Sequence, residues 1–259
     1  MVPPRKHISF SEIKDWDKCA FYHKLVYIDR LSGFEGNEYT AFGSALHHVC
    51  EVKVANPKND KDTLFEEKFL EELTSLPSNV KENLNKKLVS DMRSQGKDLV
   101  PLITPALKEE FGDFEVISVE EELYETLHNF DKKFKGFIDL VLKTSDGKYH
   151  VIDWKTCSWG WNQKRKNSPM TTYQLTYYKH FFAAKHDINP DSIETHFALL
   201  KRTAKKNKIE IFRVTSGKRK TENALNFLEK VVYNVKNKNY IKNKTSCQRC
   251  NFYKTAHCT

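Results

Sequence analysis

Hydrophobic positions follow two different periods along the chain, and the change of period predicts where helices give way to strands. Apolar residues three or four positions apart indicate helices over Ser11–Val26 and Ala41–Val54, and a wholly helical stretch continues to Phe111. Two further helices are predicted, one around Gln174 and one from Leu225 to Val235. Alternating apolar and polar residues predict five strands: Phe114–Thr126, Phe134–Lys143, Tyr149–Thr156, Thr195–Leu200 and Ile209–Val214. This order predicts an α/β protein with a mixed central sheet and helices on both sides.

The turn between the second and third predicted strands decides which residues face each other across the hairpin. A three-residue loop, Ser145–Gly147, with a left-handed glycine would pair the two residues that flank it. Counting outward in this register places Asp139 directly opposite Asp153. Side chains alternate along a strand, so Lys155 points the same way as Asp153, and Trp154 points to the other face. The hairpin is therefore predicted to bring together two carboxylates and an ammonium group.

This group of charges has two interpretations. Like charges directly opposite each other destabilise a sheet unless something offsets them. A divalent cation such as Mg²⁺ or Mn²⁺ would do so, because carboxylate oxygens suit it, and it could also activate water against a phosphate. Alternatively, the residues lie on a solvated sheet face, where Lys155 only neutralises Asp139 and Asp153. The hairpin alone leaves both interpretations open.

Two helical motifs accompany the hairpin. Gly43 and His47 form a Gly-x-x-x-His segment within a predicted helix. Gln174 and Tyr178 are one turn apart, on one face of a helix predicted to begin at Ser168-Pro169, a favourable cap followed by a first-turn proline. Together with the hairpin, these motifs resemble the RecB-like branch of the PD-(D/E)XK nucleases.

Four of the six cysteines lie near the chain ends. Cys247 and Cys250 form a C-x-x-C pair, and Cys258 follows, a grouping that usually indicates a metal site. Zinc, with His257 as a substitute ligand, is the main alternative to an iron–sulfur cluster. Cys19 precedes several aromatic residues, similar to the cysteine in the first helix of this nuclease branch. The resemblance, to its iron–sulfur exonucleases of the CRISPR-associated and AddB types, implies that the four thiolates hold a 4Fe-4S cluster.

The resemblance also implies the fold and the activity. It implies a restriction-endonuclease-like core within a single nuclease domain over residues 1–259, with a helical insertion at about 56–112. The chain would be a Mg²⁺- or Mn²⁺-dependent DNA nuclease, an exonuclease that prefers single-stranded DNA. It would act in DNA repair, recombination or phage DNA processing, beside a helicase or recombination partner.

Residue roles follow from the same resemblance. Three side chains and one backbone carbonyl would bind the catalytic metal: His47, Asp139, Asp153 and Trp154. Lys155 would orient the attacking water or stabilise the transition state, while Gln174 and Tyr178 would position the DNA strand. One residue of Glu120–Glu122, on the preceding strand, is a further acidic candidate, and the sequence does not decide which one faces the site.

Two other classes of protein fit parts of this pattern. A nuclease-fold DNA-binding or recombination-accessory protein could retain the fold with a vestigial metal site, although intact Asp139, Asp153 and Lys155 argue against it. A zinc-stabilised binding module would use the cysteines only to join the chain ends. DNA cleavage separates the first class from a nuclease, and the metal content separates zinc from iron–sulfur.

Charge and cysteine usage agree with an intracellular nucleic-acid-binding protein. The chain has 43 lysines and arginines against 34 acidic residues, a formal net charge of +9 that favours polyanions. Candidate phosphate contacts cluster in three places: Lys201–Lys208, Lys218–Lys220, and the lysines at 236, 238, 242 and 244. No apolar run approaches the roughly 20 residues that span a bilayer, so no membrane association is expected. Six cysteines without a disulfide framework suit a reducing compartment, the cytoplasm or, for a viral protein, the host cytoplasm.

Overall fold

A computed structural model describes residues 5–56 and 63–258, which form a central sheet with helices on both faces. The strands are β1 (His7–Ser9), β2 (Phe114–Thr126), β3 (Lys133–Thr144), β4 (Tyr149–Cys157), β5 (Ile193–Lys201) and β6 (Ile209–Arg213). The helices are α1 (Phe10–Lys18), α2 (Ala20–His23), α3 (Glu38–Ala55), α4 (Leu64–Ser75), α5 (Ser78–Glu82), α6 (Lys86–Leu99), α7 (Ile103–Phe111), α8 (Gln163–Asn167), α9 (Pro169–His186) and α10 (Lys218–Lys236). The architecture is the mixed α/β arrangement that the sequence predicts.

The sheet is mixed because its strands are joined by two kinds of connection. Short turns join β2 to β3 and β3 to β4, and both pairs are antiparallel. Strand β5 pairs with β4 in parallel, which requires a crossover, and α8 and α9 provide it. Strand β6 returns antiparallel to β5, while β1 pairs in parallel with β3. The crossover places α9 over the sheet face that carries part of the site described below.

The predicted turn between β3 and β4 is confirmed. The Thr144 amide donates to the Lys148 carbonyl at 3.0 Å, and Gly147 has a φ of 82°, the left-handed conformation that this loop needs. The paired residues run from Lys143 opposite Tyr149 to Leu140 opposite Ile152, in the predicted register. The ladder ends there, one step before Asp139 and Asp153.

A gap in strand pairing opens where that ladder ends. One edge of β3 pairs with β2 along its length, but the other edge is shared by two strands. Strand β1 pairs with residues 133–135 and β4 with residues 140–143, so among the described strands none pairs with 136–139 on this edge. We call this opening the fork, formed by residues 136–139 of β3 and 153–155 of β4. It interrupts the strand pairing in the middle of the sheet.

Two hydrophobic clusters cover the two faces of the sheet. The first joins α1, α9 and α10 to residues such as Ile138 and Val151, and the second joins α3, α4, α6 and α7 to residues such as Leu140 and Trp154. Because Ile138 and Leu140 pack on opposite faces, the regular alternation of side chains is interrupted at Asp139. Trp154 is buried away from Asp153, as predicted.

The predicted single helix over Ser11–Val26 is wrong, because the chain breaks at Cys19. That residue is extended, with a φ of −167°, and the chain resumes as α2 and a π-helical turn, Lys24–Ile28. The C-terminal segment forms hydrogen bonds with backbone groups on either side of Cys19. The Asn243 side chain donates to the Lys18 carbonyl at 2.9 Å, and the Phe21 amide donates to the Ile241 carbonyl at 3.2 Å. The two chain ends therefore meet at Cys19.

Two further predictions concern helices. Helix α9 begins at Pro169 as predicted, although the Ser168 side chain makes no capping hydrogen bond. The proposed insertion at 56–112 includes residues 57–62, which lie outside the described residues; from Leu64 to Phe111 the chain is largely helical and packs on one sheet face. No helix in the described ranges is long and apolar enough to cross a bilayer.

Candidate active site

Asp139 is fixed at the fork by the backbone of the neighbouring strand. Where the regular ladder would continue, the Trp154 amide instead donates to the Asp139 carboxylate, Oδ2, at 2.7 Å. Because a side-chain oxygen accepts this hydrogen bond in place of a backbone carbonyl, an aspartate side chain lies between the backbones of β3 and β4 at this point. The carboxylate is largely buried, with 15% of the side chain exposed. The interrupted pairing is therefore what makes room for an acidic side chain in the sheet.

Asp153 is the most deeply buried charge at the fork. Its side chain is almost fully enclosed, and Lys155 forms a close ion pair with Oδ2. Burial raises the pKa of Asp153 to about 6; Lys155 opposes this rise, and nearby Asp139 adds to it. A buried carboxylate with a neighbouring carboxylate is costly in the ionised form, so the site favours an additional positive charge.

Helix α9 supplies two polar side chains to Asp153. The Gln174 amide nitrogen donates to Asp153 Oδ1 at 2.7 Å and lies 3.1 Å from the Tyr178 hydroxyl. Burial, followed by the charge of Asp153, raises the pKa of Tyr178 well above its usual value, so the hydroxyl keeps its proton. Gly136 explains how Tyr178 fits, since a Cβ there would lie 2.8 Å from the tyrosine ring.

Helix α3 brings His47 to the same carboxylates from the opposite face of the sheet. The imidazole Nδ1 lies 3.5 Å from Asp139 Oδ2. Burial alone lowers the pKa of His47, but the interaction with Asp139 outweighs burial and leaves the pKa raised. The structure thus places the predicted metal ligands and catalytic residues around one fork, linked from His47 through Asp139 and Asp153 to Lys155, Gln174 and Tyr178. Their catalytic roles stay predictions.

A second acidic pair lies beside His47, and the sequence analysis missed half of it. Glu51 is one helical turn beyond His47 on α3, a spacing that could have revealed it. Glu120 faces it from β2 and has a left-handed φ of 48°. The structure also separates the three glutamates of β2: Glu121 contacts Ser118, Lys185 and His186, while Glu122 pairs with Lys135. Among the three, Glu120 is the one beside the site.

The Glu51–Glu120 pair predicts a pH-dependent change in stability. Burial, and then the charge of Glu120, raises the pKa of Glu51 from 4.5 to about 7. Between these values the folded chain holds a proton that the unfolded chain releases, so stability falls as the pH rises from 4.5 through 7. Relative to wild type, metal-free Glu51→Gln should become more stable as the pH rises across this window, by at most about 2 kcal/mol because solvent screens part of the repulsion.

Urea denaturation in a chelator, at several pH values, measures this difference. Glu109→Gln, which changes an exposed carboxyl on α7, is the control and should track wild type. If the difference between Glu51→Gln and wild type is the same at every pH, Glu51 does not hold the extra proton.

Comparison with known proteins places the whole arrangement in a family. Residues 7–255 match the sequence profile of the PD-(D/E)XK nuclease superfamily. The chain belongs to this superfamily. The fork carries two acidic residues and a lysine, Asp139, Asp153 and Lys155, which are the residue types of the family name. Ile138 stands where the family name has proline.

One solved structure shares the fold of this chain. The chain is similar to a protein from Eubacterium rectale named "Putative exonuclease", with a TM-score of 0.60, 13% identity, and coverage of 95% of this chain and 86% of that chain. At this identity the likeness shows the fold alone. The structure of SSO0001 matches with a TM-score of only 0.38, at 15% identity over 82% of this chain and 94% of that one, and carries no argument. No curated protein matches the sequence.

The four terminal cysteines of this PD-(D/E)XK protein line one cavity. Cys19, Cys247, Cys250 and Cys258 contribute to its wall, which encloses about 310 Å³. All four are free and partly exposed thiols. The Asn243 amide lies 3.3 Å from the Cys19 sulfur, which ties the first helices to the C-terminal segment. The four thiols are thus neighbours in the fold, though their sulfurs are not gathered into a tight group of ligands.

The densest basic run is less available to DNA than its sequence indicates. Lys201 is buried and pairs with a glutamate of β6, Arg202 donates to a glutamine of α6, and Lys208 pairs with an aspartate of α6. Lys205–Lys206 are exposed. Three of the charges in this run therefore stabilise the fold of the nuclease domain, since each already has a partner within the chain.

Proposed function

We propose that the protein is a Mg²⁺- or Mn²⁺-dependent DNA nuclease, an exonuclease that prefers single-stranded DNA. The observation that carries the proposal is the set of contacts at the fork. The Asp139 carboxylate lies between His47 and the Trp154 amide, next to Asp153 in its ion pair with Lys155. Membership of the PD-(D/E)XK superfamily supports a nuclease, and the resemblance to the RecB-like branch supports the finer description.

The donor atoms at the fork fit a hard divalent cation. Two carboxylates, an imidazole and the backbone carbonyl of Trp154 would be the ligands, and carboxylate oxygens are the ligands that Mg²⁺ and Mn²⁺ prefer. Asp153 supports this fit, because its buried charge is stabilised by any added positive charge. When bound, the cation would supply Lewis-acid activation of the phosphate and of a water nucleophile.

The side chains around the cation site have separate tasks in this proposal. Lys155, ion-paired with Asp153 and partly exposed, can donate to the attacking water or to a phosphate oxygen as negative charge develops. Gln174 holds the Asp153 carboxylate through Oδ1, which fixes the direction of the other oxygen. The protonated Tyr178 hydroxyl can donate to the phosphate backbone beside them. Gln174 and Tyr178 would thus position the strand.

The cysteine-lined cavity supports a second cofactor. We propose that Cys19, Cys247, Cys250 and Cys258 hold a 4Fe-4S cluster, as in the iron–sulfur members of the branch that the sequence resembles. Four thiols on one cavity are the donor set that such a cluster uses, and a structural zinc ion is the alternative. The cluster would join the chain ends. It would not take part in hydrolysis, which is the task of the fork.

The cellular setting of the proposal rests on the sequence. The resemblance supports DNA repair, recombination or phage DNA processing, and a helicase or recombination protein as partner. Free thiols support a reducing compartment inside the cell. The exposed pair Lys205–Lys206 and the exposed Lys218 and Arg219 at the start of α10 are candidate phosphate contacts. They would make binding depend on salt.

End-labelled single- and double-stranded DNA test the proposal directly. The purified protein should shorten single-stranded DNA in the presence of Mg²⁺ or Mn²⁺, faster than duplex DNA, and a chelator should stop the reaction. Progressive shortening from one end would establish an exonuclease, and equal rates on both substrates would contradict the strand preference. Salt-dependent DNA binding with no cleavage in either metal would favour the accessory DNA-binding protein instead.

A further inference from the structure

A second group of metal-binding side chains lies away from the fork. His150 of β4 is adjacent to Glu194 of β5 in the parallel register, and His196 follows two residues later on the same face. Their ligand atoms all lie within 4.8 Å of one another. Within the described residues, these three side chains are already close enough together to bind one metal ion. Neither the superfamily nor the proposed nuclease mechanism gives it a role.

The imidazole of His150 is held with one nitrogen turned into this group. Its Nε2 lies 3.1 Å from the Thr144 hydroxyl, which itself donates to Asp146 Oδ1 at 2.5 Å. Because the Thr144 hydroxyl donates its proton to Asp146, its oxygen accepts a hydrogen bond from His150 Nε2–H. This fixes the tautomer and leaves the lone pair of His150 Nδ1 facing His196. Metal-binding histidines commonly have the nitrogen away from the metal fixed in this way.

His196 is buried with an unmatched nitrogen. Only 3% of the residue is exposed, and its Nε2 lies 3.2 Å from His150 Nδ1. Its Nδ1 is buried without a hydrogen-bond partner among the described residues. Phe111 of α7 packs against both rings. Burial lowers the pKa of His196 to about 3 and also lowers that of His150, so both imidazoles are neutral. Without a metal ion the two neutral imidazoles share one hydrogen bond, in which His196 Nε2–H donates to His150 Nδ1.

The carboxylate of Glu194 is turned so that its two oxygens have different neighbours. Oε1 accepts from Arg213 at 3.2 Å and lies 3.3 Å from the Lys148 ammonium. Oε2 lies on the imidazole side, 4.0 Å from His196 Nε2. The outer cations therefore orient the carboxylate, and the other oxygen remains directed at the histidines. Lys148 is half exposed, so the carboxylate lies near the surface on this side.

We propose that His150 Nδ1, His196 Nε2 and Glu194 Oε2 form a binding site for a divalent transition metal ion, Zn²⁺ first. Two imidazoles and one carboxylate are a common ligand set for Zn²⁺. Bonds of about 2.0–2.1 Å in tetrahedral geometry separate ligand atoms by about 3.3 Å. Two of the three observed separations, 3.2 Å and 4.0 Å, are near this value, and the third is at most 4.8 Å, so the ligands would close in slightly around an ion. A cation there would join β4 to β5 three residues before Asp153.

The site differs from the fork in its preference for metals. The fork offers mostly oxygen atoms, which suit Mg²⁺ and Mn²⁺, whereas imidazole-rich sites select Zn²⁺, Ni²⁺ or Cu²⁺. It also differs from the cysteine cavity, because it has no sulfur donor. The bound ion would stabilise the pairing of β4 with β5 and hence the folded state. Its function is structural in this proposal, and hydrolysis at the fork does not depend on it.

Metal analysis without DNA tests this site independently of the proposed activity. The protein is stripped with a chelator, dialysed against Zn²⁺ in excess Mg²⁺, and its zinc content and melting temperature are measured. Glu194→Gln and His196→Asn should each contain about one Zn²⁺ fewer per chain than wild type and lose the zinc-induced rise in melting temperature. His128→Gln, an exposed histidine, is the matched control and should behave as wild type.

Cobalt separates this site from the cysteines. Co²⁺ bound by imidazole and carboxylate gives visible absorption without the strong near-ultraviolet band of a cobalt–thiolate bond. Cys250→Ser should therefore retain the visible signal that Glu194→Gln loses. If wild type and both site variants hold the same amount of zinc and show the same melting behaviour, the histidines are only a packed pair and the proposal fails. Glu194→Gln keeps this test valid if His196→Asn does not fold.

Discussion

Replacing Asp153 with asparagine is expected to reduce Mg²⁺-dependent DNA cleavage by at least about 10³-fold. The substitution retains the size of the side chain and its contact with Gln174, but removes a charge that would hold the cation. The fold should not suffer, because a buried carboxylate with a pKa raised to about 6 is costly when ionised. Rates on end-labelled single-stranded DNA, together with the melting temperature of each protein, measure both effects.

Lys155→Met should give a loss of similar size for a different reason. It keeps the aliphatic stem but cannot donate to a phosphate oxygen or a water, so DNA binding should change little while turnover falls. Two control variants carry the same changes elsewhere: Lys143→Met on β3 and exposed Asp113→Asn before β2. Activity within a few-fold of wild type in either Asp153→Asn or Lys155→Met would place the chemistry elsewhere and refute the assignment of the fork.

The site's main strand register was predictable from the sequence because it depends on a local turn. Gly147 allows one loop geometry, and that loop fixes every pair from Lys143–Tyr149 to Leu140–Ile152. The hydrophobic period located five of the six strands and most of the longer helices for the same reason, since each pattern reflects one buried face, whereas the three-residue β1 was not predicted. The shared face of Gln174 and Tyr178 was also predictable, because both residues lie one turn apart on a single helix.

The features that the sequence did not predict depend on contacts between distant segments. The fork exists because β1, from the N-terminus, occupies the edge of β3 that β4 would otherwise continue along. Glu51 becomes relevant only where α3 meets Glu120 of β2. The periodic helix breaks at Cys19 because residues from the C-terminal segment bind the backbone of Lys18 and Phe21 beside it. In each case a long-range contact overrides a local preference.

Loss of a cofactor should affect the fold most at the cysteine cavity, because the cysteines that line it are far apart along the chain. Cys19 lies more than two hundred residues from the other three thiols. A cofactor bound by both ends would link α1 and α2 to the C-terminal segment, and its binding energy would add to folding energy. Removing one cysteine ligand should therefore release the metal and also destabilise the folded protein.

Protein purified without oxygen should be brown, with broad visible absorbance, if the four thiols hold a 4Fe-4S cluster. Cys250→Ser should be nearly colourless and melt at least about 5 °C lower, since one kcal/mol shifts the melting temperature of a domain of this size by about 2–4 °C. Cys157→Ser is the matched control, because this thiol does not line the cavity, and it should stay brown.

The metal content of the same preparations separates the alternatives. If Cys250→Ser loses iron and sulfide together, and Cys19→Ser at the other end of the chain does the same, the cysteines share one cluster. Colourless wild type that contains zinc, with zinc lost in both variants, would replace the cluster with a structural zinc ion but keep the link between chain ends. Wild type that contains neither metal, and melts at the same temperature as Cys250→Ser, would leave the thiols without a cofactor. In that outcome the ends would be held by contacts such as those of Asn243 with Lys18 and Cys19 and of Phe21 with Ile241.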